Sequence, residues 1–565
     1  MKKIHIIPIL LFAVSLALSA ASEAEYKKLS KTYTLNADGS QEFRYTMELT
    51  LFTHTAMNRT YGESFIVYNP MFQELNIHSS YTKQKDGTII QTPDNAFVEV
   101  LPRQAADAPA FNHLKEMVVV HTGLELGATI YLDYSVTSKP RYLPELDICE
   151  AVAQTSPVKD YTIIINAPEN KPLFHNVKDA PAKLVVSTSG GTKRATYTMR
   201  NLPAASRAPQ VTALGGNFPL LTISSYTSNA EAVKYLSKQL TPSGNMPALS
   251  LAETVTEGKE TDTQKLYAIL NHVIDNVGNS RLSLLETGFR LRSIDEVNPS
   301  AYATEAEKIN LLASLLNEAG IKAEIAAAYM NNSDINSCGL SAISELFVIA
   351  KADSKQYLLT PKQKAMSEAA WFAGNARFVS ISNPGSQADI EKLSADLDFA
   401  YTISLSPEKA EIQSKGRIGH AFVPYTEKGL SEVADKTEQK LKETNGYILL
   451  SLPDNRNSIS HTAYKNFNTK RVENLLLPYK AKESFTYTVE LPTGMALSTP
   501  QTTKTTDNTA GKATYSVKQN GNTVEVTRTL EVKKQLITPS DYPAFRTLMT
   551  EWADTNNQQL LIKTR

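Results

Sequence analysis

At 565 residues the chain exceeds what one hydrophobic core supports, and its 42% share of hydrophobic residues is enough to fill several. Lysine plus arginine equals aspartate plus glutamate at 58 each, so bulk charge recruits neither nucleic acid nor an anionic membrane surface. A multidomain globular protein with no nucleic-acid partner is the expectation.

The first residues have the order of an export signal: Lys2 and Lys3, an apolar run from Ile4 to Leu18, then the small residues Ser19, Ala20, Ala21 and Ser22. Residues 1–22 are therefore read as a signal peptide and the periplasm as the destination. The run is shorter than the roughly 20 apolar residues of a spanning helix, and no later stretch approaches that length. This predicts no stable membrane span in the mature chain. The small-residue cluster holds no cysteine, which disfavours a lipid anchor.

Residues 23–225 read as an N-terminal antiparallel β domain. Phe43, Tyr45, Met47, Leu49 and Leu51 alternate with polar residues, the period of a half-buried strand. Asp38-Gly39, Asp86-Gly87 and Gly190-Gly191 stand where hairpins should reverse. Further strands are expected at Met117 to Val120, Thr129 to Val136, Tyr161 to Asn166, Leu184 to Thr188 and Thr196 to Arg200.

Residues 226–397 read as an α+β domain. Val233, Leu236 and Leu240 mark a short helix, and Leu266, Ile269, Leu270, Val273 and Val277 a longer one. In a third, Thr304 and Glu307 have capping-box spacing, Leu311, Leu312, Leu315 and Leu316 form an apolar face, and Gly320 ends it. Short strands follow at Ala323 to Tyr329, Leu346 to Ala350 and Tyr357 to Leu359. Residues 398–565 return to strands as a β-sandwich-like domain with a helix. Phe485, Tyr487, Val489 and Leu491 alternate, as do Val524, Val526 and, less cleanly, Leu530 and Val532. A long polar helix is expected over Glu427 to Thr444, and another opening at Thr538 and Pro539 with Tyr542, Phe545, Leu548, Met549 and Trp552 on one side. Leu560 to Ile562 could close the chain as a strand.

Arg290, Ser293, Glu296 and Val297, followed by Tyr302 to Gly320, resemble the segment before and through the central helix of transglutaminase-like domains of the papain-like superfamily. The family pattern is Gly-Asp-Cys-Lys-Asp-Lys, then leucines, then Ala-Gly-Ile. Here the register reads Ala303-Thr304-Glu305-Ala306-Glu307-Lys308, then Leu311-Leu312, then Ala319-Gly320-Ile321. The order of parts also resembles exported bacterial proteins that join an N-terminal domain of unknown function 3857, a transglutaminase-like domain and a second β module.

The resemblance implies that the triad is gone. Active members place a cysteine at the helix N-terminus, where exposed N–H groups and the helix dipole favour a nucleophilic thiolate. Glu305 stands there instead. The family's histidine aligns with Glu345, and its aspartate, in Asp-Pro, with Thr360 before Pro361. The apolar strand alone fixes the register at Glu345, but no histidine lies between His272 and His420, so a slip of one does not restore the base.

Other arrangements are weaker. His272 and Cys338 are the middle domain's one candidate imidazole–thiol pairing, and a packed histidine with a loop thiol is the simpler reading. Cys149 and Cys338 are read as two separate thiols in different domains. His54, His78, His113, His121 and His175 lack the paired spacing of a zinc site, so no metal and no cofactor is expected. Trp371 and Phe372, with Thr304, could line the middle domain's cleft, although aromatic clusters more often pack inside. Glu305 and Glu345, if they face each other, must share a proton, recruit a cation or turn apart.

The resulting expectation is a non-enzymatic, transglutaminase-like binding or scaffolding protein with a protein or glycan partner. Two rivals stand beside it. One is a hydrolase of different chemistry built on Glu305 and Glu345, since paired carboxylates serve glycoside hydrolysis and hard-metal binding. The other is a structural assembly component. An open cleft would suit binding or catalysis, and a cleft filled by Trp371 or Phe372 would suit assembly.

Overall fold

A computed structural model describes residues 22–205, 219–241, 244–330, 334, 337–362, 372–391, 396–418, 432–455, 457–461, 471, 474–477 and 480–564. Residues 1–21 of the expected signal segment 1–22, and Trp371, lie outside these described residues. Strands dominate, arranged in several sheets with few helices, and the apolar residues gather around three main cores.

The alternation in Gln41–Leu51 places Met47, Leu49 and Leu51 in the first core with Leu29, Ile130, Ile163 and Tyr197. That strand belongs to an eight-stranded sheet in the order Lys183–Ser189, Thr192–Leu202, Val158–Pro168, Ala24–Leu35, Gln41–Leu51, Thr129–Ser138, Gln73–Lys83 and Ile89–Gln91. The hairpin pairs sit where expected, and Gly39 and Gly87 take φ of +84° and +95°, a region that favours glycine. The sheet is not wholly antiparallel, because Ala24–Leu35 runs parallel to Val158–Pro168. Alternation reports which face is buried and carries no information about a neighbour's direction.

The middle core forms where the helix Glu305–Glu318 lies on a four-stranded antiparallel sheet, in the order Lys355–Leu359, Glu345–Ala352, Lys322–Met330 and Ala376–Ser380. Leu311, Leu312, Leu315 and Leu316 meet Ile325, Val348 and Leu359. Two helices went unread: Met246–Thr256, where the Asn245 side chain accepts from Ala248 N at 2.9 Å, and Ile294–Ser300. Successive residues of a strand face opposite ways, so Leu346 and Val348 meet the helix while Phe347 and Ile349 face away. Phe372 packs on that far side, its ring 5.4 Å from Phe347, and this corrects its expected place in the cleft.

In the last core a seven-stranded sheet in the order Glu432–Lys440, Lys409–Ile418, Asp396–Leu405, Lys482–Glu490, Thr523–Val532, Gly511–Asn520 and Thr502–Asp507 packs with a four-stranded sheet and the helix Tyr542–Trp552. Tyr542, Phe545, Leu548, Met549 and Trp552 are all buried, as their spacing predicts, although the helix opens after Thr538 and Pro539 rather than on them. The expected polar helix over 427–444 is overturned: Glu432–Lys440 is a strand, followed by the short strand Glu443–Thr444, while 427–431 lie outside the described residues. At the sheet edge a strand needs no apolar stripe, and charges such as Glu438, 2.9 Å from Lys409 Nζ, blunt it. The untidy alternation before Leu530 has a cause. Arg528 takes the inward position, 1% exposed, with its guanidinium 4.6 Å from the Trp552 ring centre and donating to Trp552 O at 2.8 Å.

Glu483 is buried in the same core, accepting from Ile459 N at 2.7 Å and Ser458 Oγ at 2.5 Å. Burial pushes its carboxyl from 4.5 up to about 7. A carboxyl raised on folding contributes stability that is full below the unfolded value and is lost as pH rises through the folded one. Between pH 5 and pH 8, Glu483→Gln should therefore gain on the parent by on the order of 2 kcal/mol. Thermal unfolding at the two pH values measures this, and a gap that stays constant would contradict it.

Candidate functional site

The start of the helix Glu305–Glu318 is built by its neighbours. Thr304 Oγ1 accepts from Glu307 N at 3.4 Å, and Thr304 N donates to Glu307 at 2.8 Å, completing the capping box. Glu307 is itself gripped by Arg292, whose Nε and NH2 lie 3.1 and 3.0 Å from its two carboxylate oxygens. This holds Glu305 at the first position of the helix, with its carboxylate about a third exposed.

Glu345 opens the adjacent strand, and its side chain is only 4% exposed. Thr360 is buried, and two residues after it comes Lys362. Lys362 Nζ lies 2.7 Å from Glu305 Oε2 and 2.7 Å from Glu345 Oε2. Glu305 and Glu345 thus meet, and of the options open to two facing carboxylates the fold uses a cation supplied by its own chain, while Thr360 is buried beside the backbone of that lysine, its Oγ1 3.4 Å from Lys362 N. Sequence reasoning missed Lys362. The signal was its place directly after Thr360-Pro361.

Burial, and then the neighbouring Glu305, hold the Glu345 carboxyl far above its ordinary 4.5, against the pull of Lys362. Its Oε1 is buried without a hydrogen-bond partner. Burial draws the Lys362 ammonium down, but the two carboxylates outweigh it and keep it above its ordinary value. One carboxyl therefore holds its proton around neutral pH, and the cluster carries two opposite charges that cancel.

Beside the cluster lies a cavity of about 620 Å³, walled on one side by Tyr33, Phe43 and Tyr134 of the eight-stranded sheet and on the other by Thr304, Glu305 and Glu345. Its walls are held together by Asp147, which accepts from Leu340 N at 2.5 Å and from Ser341 N and Oγ at 3.2 and 2.5 Å. Burial pushes Asp147 up to about 6. A Cβ at Gly339 would overlap this carboxylate, so the approach requires glycine there. Thr222 Oγ1 and Ser337 Oγ meet at 2.7 Å, and Arg290 covers the Phe72 ring at 4.8 Å.

The remaining candidates do not form a reactive pair. Cys338 lies in a loop as expected but is only 1% exposed, and it neighbours Cys149 closely enough to influence it, although the two form no disulfide. Burial first, and Cys338 next, push the Cys149 thiol up to about 12, which withholds the thiolate. His272 sits on the helix Asp262–Asn276, its Nδ1 3.1 Å from Asn276 Nδ2. Among the described residues, no three His, Cys, Asp or Glu side chains group as a metal would require. No helix among them is long and apolar enough to cross a membrane.

Residues 37–206 match DUF3857 and residues 446–562 match DUF3858, both domains of unknown function. No curated protein matches the chain. The structure is similar to a crystal structure from Parabacteroides distasonis, described as a "putative protease", with 41% identity and a TM-score of 0.77 over 96% of this chain and 99% of that one. A mutant M1 zinc metallopeptidase from Deinococcus radiodurans is matched at a TM-score of 0.18 and 11% identity, over 46% of this chain and 57% of that one, which bears on neither fold nor function. At 41% identity across nearly the whole of both chains, this protein belongs to the family of the Parabacteroides distasonis protein, with a DUF3857 and a DUF3858 region of its own.

Proposed function

We propose that the chain is an exported, periplasmic protein whose region 226–397 is a transglutaminase-like domain without its triad, and that the cavity beside Glu305 binds a protein or glycan partner without cleaving it. The observation that carries this reading is Lys362 Nζ, 2.7 Å from both carboxylates that stand at the expected nucleophile and base positions. An ammonium there offsets one of the two carboxylate charges and stands against both groups, where a reacting atom would have to come. The cavity of about 620 Å³ supports a ligand site over a purely structural role, because assembly alone needs no open cleft. The first described strand starts at Ala24, directly after the small-residue cluster, which suits removal of a signal peptide.

A second reading, a hydrolase using Glu305 and Glu345, has one observation in its favour. A carboxyl raised by burial beside a second carboxyl is how acid and base roles are divided. Both oxygens lie 2.7 Å from one nitrogen, and Glu305 acts on Glu345 as a hydrogen-bonding neighbour, so the two carboxyls sit closer than the roughly 5–5.5 Å of retaining glycosidases and would have to part as well. Lys362 would have to leave for a substrate to enter.

The whole chain, incubated with mixed peptides, a chromogenic ester and mixed oligosaccharides, is expected to yield no more product than buffer does. Turnover that falls by about a hundredfold in Glu305→Gln would replace binding by hydrolysis.

A further inference from the structure

We infer that the cavity takes a ligand bearing an ammonium or guanidinium group on an apolar body. The inference rests on the binding reading and adds the chemical class. Among the described residues lining the cavity, the acidic ones are Glu42, Glu150, Glu286, Glu305 and Glu345, and none is lysine, arginine or histidine. The chain as a whole has equal numbers of acidic and basic residues, so this lining departs sharply from the average.

The compensation these carboxylates receive is incomplete. Glu150 is matched, by Lys31 at 2.8 Å and the Tyr33 hydroxyl at 2.7 Å. Glu286 accepts only from the neutral Ser283 N and Oγ, each at 2.7 Å, which leaves its charge in place. Glu305 and Glu345 share a single ammonium, and the buried Oε1 of Glu345 has no partner. Two carboxylates on one cation are one positive charge short, and the cluster meets that shortage with a proton. A ligand cation meets it equally well.

The rest of the lining suits the body of such a ligand. Tyr33, Phe43, Phe65, Tyr68, Tyr134 and Phe289 border the space, and aromatic faces attract cations while covering apolar stems. About 620 Å³ is the size of a pocket for a small organic molecule or a few amino-acid residues. A charge-bearing side chain of a peptide and a free amine share this chemistry, and the test separates them.

A cation placed beside Glu345, together with Lys362 and facing Glu305, favours its ionised form. Binding is then accompanied by proton release, and affinity rises with pH from neutrality upward until Glu345 is ionised without help. This linkage is a signature that simple apolar binding lacks.

Calorimetry on the whole chain uses four probes: N-acetyl-Phe-Lys-Phe-amide, its norleucine analogue, its glutamate analogue, and spermidine. The lysine peptide is expected to bind at least about tenfold more tightly than the norleucine analogue, and the glutamate analogue not at all. Glu286→Gln and Glu42→Gln should each weaken the lysine peptide without lowering the unfolding temperature, and runs in two buffers of different ionisation enthalpy should show a proton released. Spermidine binding as tightly as the peptide supports a free amine as the source, and weaker binding supports a peptide side chain. Equal or tighter binding of the norleucine or glutamate analogue would overturn the cationic class and leave the binding reading standing. Absence of binding by all four probes also overturns the class. Cleavage of the lysine peptide, lost in Glu305→Gln, would leave the class intact and sink the non-catalytic reading.

Discussion

Arg292→Met is expected to destabilise the middle region by about 4 kcal/mol, the largest effect of any single change near the site. The reason is the company Arg292 keeps. Its side chain is 13% exposed, and that of its partner Glu307 is fully buried. Besides the two bonds to Glu307, Arg292 donates to Tyr302 O at 2.8 Å and Ser300 Oγ at 3.2 Å, and its guanidinium lies 4.4 Å from the Tyr302 ring centre. Methionine replaces much of the stem but leaves Glu307 as a buried charge whose remaining donors are the N–H groups of Thr304 and Arg292 itself. The added change Glu307→Gln keeps a capping-box acceptor while removing that charge, so the double variant should recover about half the loss. Unfolding with urea gives the energies, and hydrogen exchange in residues 302–312 should rise in the single variant before other segments change. A single variant within about 1 kcal/mol of the parent would show that the ion pair is dispensable.

How much of this was legible in the sequence depends on the range of the interaction. The capping box at Thr304 and Glu307 is a local matter of three residues, and it stands where the spacing put it. The inward residues of strands such as Lys482–Glu490 were likewise readable, because alternation and burial are the same fact seen twice. The grip of Arg292 on Glu307 spans 15 residues across the helix Ile294–Ser300, and no pattern in either residue announces it. Arg528 was invisible for the opposite reason. It breaks the apolar alternation, and only the rings of Phe485 and Trp552 explain why a guanidinium is tolerated inside. The strand Glu432–Lys440 was misread because its polar residues are compatible with a solvated helix, and its place at a sheet edge is decided by Lys409–Ile418. The cavity could not be read at all, since its walls join residues as distant as Tyr33 and Glu345. At the site itself Glu305 and Glu345 could be singled out from the sequence, and the lysine that bridges them could not.

Lys362→Met is expected to cost about 3 kcal/mol at pH 10, where Glu345 is ionised in the parent. That is the low end for breaking a buried pair, because the Lys362 and Glu305 side chains are each 31% exposed and water screens part of the loss. The cost should depend on pH in a direction fixed by Glu345. Its carboxyl is raised on folding, so its contribution to stability is full below the unfolded value of 4.5 and is lost as pH rises through the folded value. Removing the ammonium takes away the neighbouring charge that favours the ionised form of Glu345, and it moves the folded value higher still. The gap between variant and parent should therefore stay nearly constant from pH 5 to pH 8, where Glu345 keeps its proton in both, and widen above the parent's folded value of about 9. Adding Glu345→Gln removes the charge that the lost lysine had answered, and the double variant should return to within about 1 kcal/mol of the parent and lose the extra pH dependence. Thermal unfolding across that range, with all four members of the cycle, measures the coupling directly. Should the cost of Lys362→Met be no larger at pH 10 than at pH 7, the ammonium would not be serving as counter-charge to the carboxylate pair, and Lys362 would be only a packed side chain between the Glu305 helix and the Glu345 strand.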